Sequence, residues 1–293
     1  MKAEIHDLGM GRYAGERVPP ARRYRAIAQN VVAVAWRGRV LTKIAVIAAI
    51  AITVAAGFAM YFLRNQLLQM ARLRGAAIPQ AEQIVFGAEP FYELVAFVLA
   101  LLWASAAIAD DLRLGAFQFY FARAIRPRDY VGGKLLGLGL LVGIPMFGGP
   151  VALALIRLLL ADSFGQALSL WMVVPRALLL GVVGTAAYVL PVAGLGALAG
   201  KRQIAQACFA IYWLLVCPAA FGLSFALKLS WVRLVSVPNS LSVIGFALFG
   251  LRPEQYSPPV AASAIALGAF CAGGLYLVWR RVDRAAHRGL GGS

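Results

Sequence analysis

The sequence predicts an all-α integral membrane protein with six membrane-spanning helices. Its 293 residues are 61% hydrophobic and only 14% charged, and the mean hydropathy is +0.78. Soluble domains carry about 45–50% apolar and about 25% charged residues, so a soluble class is excluded. Each apolar run approaches or exceeds the roughly 20 residues that a spanning helix needs, and none alternates like a barrel strand.

The chain begins with a polar segment, residues 1–39, that contains a basic amphipathic helix. Its apolar residues recur at helical spacing opposite several arginines, a pattern typical of a helix in the membrane interface, although a cytosolic helix is the simpler alternative. The apolar face comprises Tyr24, Ile27, Ala28, Val31 and Ala35.

Six spans follow within a transmembrane domain, residues 40–279, and a basic tail occupies residues 280–293. The predicted spans are residues 40–63, 91–109, 135–160, 177–199, 204–227 and 260–279. The first part of the loop after span one continues as a helix, and span three is rich in Gly and Pro, which predicts a kinked and closely packed helix.

One apolar segment is too short to cross the membrane. Residues 238–251 carry no charged side chain over all 14 positions and lie between spans five and six. A re-entrant helix and an interfacial helix are the two structures that fit such a length.

Lysines and arginines are distributed unequally between the two sides of the predicted membrane. With six spans, the side that carries both termini holds 20 of these residues, and the other side holds 7. The positive-inside rule therefore places both termini, the span two–three insertion and the span four–five link in the cytosol of a bacterial-type inner membrane. The net charge of +16 is explained by these loops and requires no nucleic acid.

Between spans two and three lies a polar and aromatic insertion, residues 109–134. Leu114, Phe117, Phe121 and Ile125 share one helical face, which predicts a short amphipathic helix on the cytosolic side. The step from Arg126 to Pro127 ends this helix, because a residue before proline avoids the α region. Asp129 is then placed to cap span three.

Several chemistries are missing from the sequence. No ionisable residue is predicted near the middle of a span, and Glu93 and Arg157 fall near span ends, where side chains reach the interface. Proton or sodium coupling is therefore disfavoured. Gly133 and Lys134 lack the upstream glycine of a phosphate-binding loop, so no ATP site is expected. The three cysteines lie in apolar runs without metal-ligand spacing.

An enzyme site is also disfavoured. The two histidines, His6 and His287, lie in polar tails, which excludes histidine catalysis and a zinc site. Asp110 and Asp111 could hold Mg²⁺ for a lipid phosphotransferase, but residues 114–117 supply no further carboxylate. We expect a chain that is not itself an enzyme and draws its energy from a partner.

At these residues the chain resembles the permease subunits of type-2 ABC transporters. That family shows an acidic residue after span two, a glycine, an apolar stretch, an Arg-Pro-like step, and Gly-Lys opening span three. The matching positions here are Asp110, Asp111, Gly115, residues 117–121, Arg126, Pro127, Gly133 and Lys134. Topology extends the resemblance over the whole chain.

The resemblance implies an exporter in which two cytosolic ATPase subunits drive a permease homodimer, with ATP and Mg²⁺ bound to the ATPase and no cofactor in this chain. A second, smaller contact is expected at Lys201 and Arg202. The residues expected to couple to the ATPase are Asp110, Asp111, Gly115, Phe117, Phe121, Arg126, Pro127, Arg128 and Lys134. Two alternatives remain: the lipid phosphotransferase, and a membrane anchor for an ATPase that moves no substrate.

Overall fold

A computed structural model of the chain describes residues 23–74, 85–117, 120, 125–161 and 163–290. Within those residues every regular element is helical, and no strand occurs. Six helical segments are long and apolar enough to cross a membrane, which confirms the six predicted spans. Spans one to six are Val40–Phe62, Val85–Arg113, Pro127–Leu159, Phe164–Ala199, Arg202–Ala226 and Val260–Ala286.

Three spans contain a π-helical turn between two α-helical parts. Span two combines Glu89–Leu99, the π turn Ala100–Ala104, Ser105–Ala107 and Ala109–Arg113. Span three combines Pro127–Gly143, the π turn Ile144–Gly148 and Gly149–Leu159, and span five combines Arg202–Ile211, the π turn Tyr212–Val216 and Cys217–Ala226. Pro145 lies inside the span three turn, where its missing N–H interrupts the α-helical hydrogen bonds. The predicted irregularity of span three is thus confirmed.

The remaining helices flank or extend the spans. The helix of span one continues as Val40–Arg74, as the sequence predicted, and span four consists of Phe164–Leu170 and Val173–Ala199. The last helix is Val260–Leu290. Outside the spans lie the N-terminal helix Arg23–Gly38, the 3-10 helix Ser230–Val235 and a short apolar helix, Val237–Leu248.

Span four is the central element, because it packs against spans two, three, five and six and the short apolar helix. Small residues allow this close packing, as is common between membrane helices. A Cβ atom added to Gly194 of span four would lie 2.5 Å from the Cα atom of Gly274 in span six. The core of the bundle therefore forms around span four.

Three spans are covered on one side only. In the most apolar 18-residue stretch of spans one, five and six, 22%, 22% and 17% of the residues are buried. The corresponding fractions for spans two, three and four are 61%, 50% and 56%. The exposed faces of spans one, five and six are apolar, with exposed side chains such as Ile47, Phe58, Leu215 and Ile265. These faces are therefore suited to lipid or to another apolar protein surface.

The short apolar helix begins beside the middle of span five. The hydroxyl of Tyr212, the eleventh residue of that span, donates to the carbonyl oxygen of Val235 at 2.9 Å and accepts from the backbone N–H of Val237 at 2.9 Å. At its other end, Phe246 packs on Phe86 near the start of span two, with ring centroids 4.7 Å apart. The helix thus extends from the middle of the bundle toward one of its ends.

A buried arginine anchors the connection between the short apolar helix and span six. Arg233, only 2% exposed, donates to Glu254 Oε2 at 3.0 Å, to the Gln255 carbonyl oxygen at 3.0 Å and to Ser224 Oγ at 2.8 Å. Its guanidinium carbon lies 4.4 Å from the ring centroid of Phe221. Charge, hydrogen bonds and a cation–π contact together compensate for burying the guanidinium.

Candidate functional site

A buried ion pair joins the end of span two to the start of span three. Lys134 Nζ lies 2.7 Å from Asp111 Oδ2, and the two side chains are only 12% and 14% exposed. The hydroxyl of Tyr130 donates to the same carboxylate oxygen, and Lys134 also donates to the carbonyl oxygen of Ala107 at 3.3 Å. Because one carboxylate collects two donors, it fixes the relative position of the two spans.

Aromatic rings surround this ion pair. The ring of Phe117 lies edge-on to Tyr130 with centroids 5.1 Å apart, and the ring of Tyr120 lies 5.2 Å from it. Phe117 is buried against Tyr130 beside the ion pair and does not present its ring at the surface. Burial, followed by the negative charge of Asp111, raises the pKa of the Tyr120 hydroxyl above its ordinary value.

Two further contacts connect this end of span two to spans one and five. Asp110 Oδ2 lies 3.6 Å from Arg202 Nη1, at the start of span five. Trp103 donates its indole N–H to Thr42 Oγ1 of span one at 2.8 Å, and the Arg39 guanidinium lies 5.4 Å from the Trp103 ring centroid. The structure therefore brings together the insertion and the predicted second contact.

The N-terminal helix packs on the start of span three through two glycines. A Cβ atom on Gly133 would lie 2.7 Å from Ile27 Cβ and 2.8 Å from the Tyr24 carbonyl oxygen, and one on Gly137 would lie 2.7 Å from Val31 Cβ. No side chain fits at such distances. The predicted apolar face of this helix is thus covered by span three, which the sequence did not indicate.

Among the described residues of the insertion and of the predicted second contact, four basic side chains are exposed. Arg113 ends span two, Lys201 precedes span five, and Arg126 and Arg128 flank Pro127 at the start of span three. Together with the contacts described above they define a structure we call the basic end of the bundle. The exposed side chains of this basic end are positively charged, and the aspartates beneath them are paired with Lys134 and Arg202.

The start of span three follows the prediction. Arg126 has an extended backbone (φ −81°, ψ 150°), Pro127 is the first helical residue, and the Asp129 carboxylate accepts from the Arg126 backbone N–H at 3.4 Å. The rigid φ of proline suits the first helical position, and an acidic residue in the first turn satisfies free N–H groups.

The predicted amphipathic face of the insertion is wrong at its first residue. Gly115 adopts a left-handed conformation (φ +63°) two residues after the end of the helix Ala109–Arg113, so the chain turns there. Leu114 is consequently 73% exposed, whereas Phe117 is 5% exposed. Phe121 lies outside the described residues. In the sequence, the signal for this break was the glycine at position 115, which takes a left-handed conformation without steric cost. In the structure it has open space around it.

The two adjacent aspartates are poorly arranged for a metal. Asp111 is engaged by Lys134 and Tyr130, and Asp110 faces Arg202. Across the part of the chain that the structure describes, no three His, Cys, Asp or Glu side chains come together as metal ligands. The basic end is therefore built from ion pairs, with no sign of the clustered oxygens that Mg²⁺ takes.

Span two also holds a buried carboxylate, Glu93, that the sequence placed at the interface. Glu93 is 6% exposed, and its Oε2 atom accepts from the Tyr188 hydroxyl at 3.1 Å. Tyr188 in turn accepts from the Trp213 indole N–H at 3.3 Å. The prediction that Glu93 reaches the interface is wrong, because a donor on span four, 95 residues away in sequence, holds it inside.

Compared with known proteins, the chain matches no protein-family model and no curated protein.

Proposed function

We propose that the chain is the membrane-spanning permease subunit of an ABC transporter, an exporter powered by a separate cytosolic ATPase. The observation that carries this proposal is the basic end of the bundle. There, four exposed basic side chains surround the buried pair of Asp111 and Lys134, which joins spans two and three. An acidic or hydrogen-bonding partner surface would complement this charge.

The geometry of the basic end suits the transmission of force. A partner that pushes on Arg126 and Arg128 acts on the first turn of span three, because both side chains flank Pro127. Span three is tied to span two by Asp111 and to the N-terminal helix by the glycine contacts. The Asp110–Arg202 contact extends the same connection to span five. Packed helices of this kind move as units and carry displacement between sites.

A second copy of the chain would complete the permease. The exposed apolar faces of spans one and five are suited to an interface between two copies, with the remaining exposed surface in lipid. The position of the short apolar helix favours a re-entrant helix over an interfacial one, because the backbone at its start hydrogen-bonds to Tyr212 in the middle of span five. In this arrangement it borders the pathway on the side opposite the ATPase.

The test is ATP turnover by the complex of this chain with the ATPase encoded beside it, reconstituted in lipid vesicles. Reversing Arg126 and Arg128 to Glu should abolish co-purification and the permease-dependent part of the turnover, since both side chains are exposed. The matched control reverses Arg280 and Arg284, which are also exposed and predicted to be cytosolic but lie on the last helix. If both double variants behave alike, the docking surface is misplaced.

The same vesicles separate the alternatives. Turnover that is stimulated by the permease but moves no substrate would favour the membrane anchor over the transporter. Phosphotransfer to lipid by the isolated chain would favour the enzyme, and Asp110→Asn together with Asp111→Asn should then abolish it.

A further inference from the structure

A half-open cavity of about 240 Å³ lies between spans four, five and six and the start of the short apolar helix. Its walls are apolar and aromatic. The side chains that matter here are Tyr188, Phe209, Tyr212, Trp213 and Phe270, with Cys208 exposed at the rim. Two irregular backbone features border it: the π turn that begins at Tyr212, and Pro191 inside span four. Such turns are frequent at functional sites.

One wall of the cavity carries a chain of hydrogen bonds that leads to a carboxylate. Trp213 donates to the Tyr188 hydroxyl at 3.3 Å, and Tyr188 donates to Glu93 Oε2 at 3.1 Å. Glu93 itself lies behind Tyr188, outside the cavity lining. The tyrosine oxygen thus separates the cavity from the carboxylate and is polarised by it.

No positive charge accompanies this carboxylate within the described residues, where neither Glu93 nor Glu89 forms an ion pair. Glu89, one helical turn earlier, is 1% exposed, and neither of its carboxylate oxygens has a hydrogen-bond partner there. A buried carboxylate without a counter-charge is costly, so a cation that comes close would stabilise it. Two such groups on one helical face therefore favour a cationic occupant nearby.

We propose that this cavity binds a small hydrophobic organic cation, such as a quaternary ammonium compound. The apolar body would contact Phe209 and Phe270, and the positive centre would lie against the faces of Tyr188, Tyr212 and Trp213. Aromatic rings attract such cations through their negative faces, and the attraction is greatest where water is excluded. Glu93 supplies the counter-charge behind Tyr188. A metal ion does not fit, because the lining offers no set of oxygen ligands.

This inference is independent of the proposed transport function, because binding requires only the chain itself. The test measures saturable binding of radiolabelled phenyltrimethylammonium to the purified full chain in detergent, in competition with tert-butylbenzene. The competitor has the same shape, with a carbon atom in place of the charged nitrogen. For the wild type, the dissociation constant of the cation should be at least about tenfold lower than the inhibition constant of the neutral compound.

Three variants locate the binding. Glu93→Gln and Tyr188→Phe should each weaken cation binding about tenfold while leaving competition by the neutral compound unchanged. Cys208→Trp should block the exposed rim and abolish binding of both compounds. The matched controls are Tyr92→Phe, which removes another buried hydroxyl that bonds to Thr53 at 2.9 Å, and Asp110→Asn, which removes a carboxylate at the basic end.

The outcomes decide the proposal. Loss of cation binding in Glu93→Gln and Tyr188→Phe but not in the controls supports it, and Tyr188→Phe keeps it testable should Glu93→Gln fail to fold. No saturable binding by the wild type, equal affinity for both compounds, or equal loss in variants and controls would overturn it. Failure of ATPase stimulation would leave this result untouched, so the two proposals fail separately.

Discussion

Replacing Asp111 by Asn tests whether the buried ion pair holds the basic end together. The substitution keeps the shape and a hydrogen-bond acceptor for Tyr130 but removes the negative charge. Lys134, 12% exposed, then loses its ion-pair partner and keeps the Ala107 carbonyl oxygen, at 3.3 Å, and the Tyr130 ring, whose centroid lies 5.7 Å from Nζ. Removing one partner of a buried pair costs about 3–5 kcal/mol, and the retained acceptor places this variant near the lower figure.

The measurement is the thermal unfolding midpoint of the detergent-purified chain, followed by the loss of its monodisperse chromatographic peak. At about 2–4 °C per kcal/mol, Asp111→Asn should lower the midpoint by about 6–12 °C. Asp110→Asn is the control, because that carboxylate is 38% exposed and lies 3.6 Å from Arg202, so its removal should cost less than about 1 kcal/mol.

A double variant separates the lost pair from the unpaired charge. Asp111→Asn with Lys134→Met removes both charges while keeping an unbranched side chain only one atom shorter than lysine, and it should recover most of the lost midpoint. Equal midpoints for Asp111→Asn and Asp110→Asn, or no recovery in the double variant, would refute the assignment of a buried and structurally required pair.

Two further predictions concern a close helix contact and a buried arginine, and both are measured by the same unfolding midpoint. Gly133→Ala should lower the midpoint by at least about 4 °C, since the new Cβ atom would lie 2.7 Å from Ile27 Cβ. Gly132 has open space around it, so Gly132→Ala should leave the midpoint unchanged or slightly higher. Equal effects would contradict the close contact of the N-terminal helix. Arg233→Met should lower it by about 6 °C or more, because Glu254 and the Gln255 carbonyl oxygen lose their donor, while the exposed Arg252→Met should have no effect.

Local features of the sequence predicted the elements well. Apolar runs identify the spans because hydrocarbon leaves the backbone no partner but itself, and this requirement acts on each segment separately. The boundary at Arg126 and Pro127 is local too, since it depends on the ring of proline and on an acid two residues later. The same locality explains why the helix of span one was correctly extended into the following polar segment.

Contacts between distant segments could not be predicted in the same way. Asp111 and Lys134 are 23 residues apart, and which of the five bases in the insertion pairs with the acid depends on how spans two and three align. Glu93 was placed at the interface from its distance to the span end, but the Tyr188 donor on span four decides its position. Gly115 was noted as part of a motif, although its left-handed backbone breaks the helical face assumed around it.

The two polar sites of the bundle share their supporting helices, and this connects the two proposals physically. Span two carries Asp111 at the basic end and Glu93 beside the cavity, with the π turn Ala100–Ala104 between them. Span five likewise begins at Arg202, which contacts Asp110, and reaches the cavity at Trp213 within its own π turn. Under the proposed function, a displacement of the basic end would reach the cavity along two helices, each through a turn whose hydrogen bonds are already irregular. Such turns are where a helix changes its register or direction at least cost, so movement at one site should alter the shape of the other.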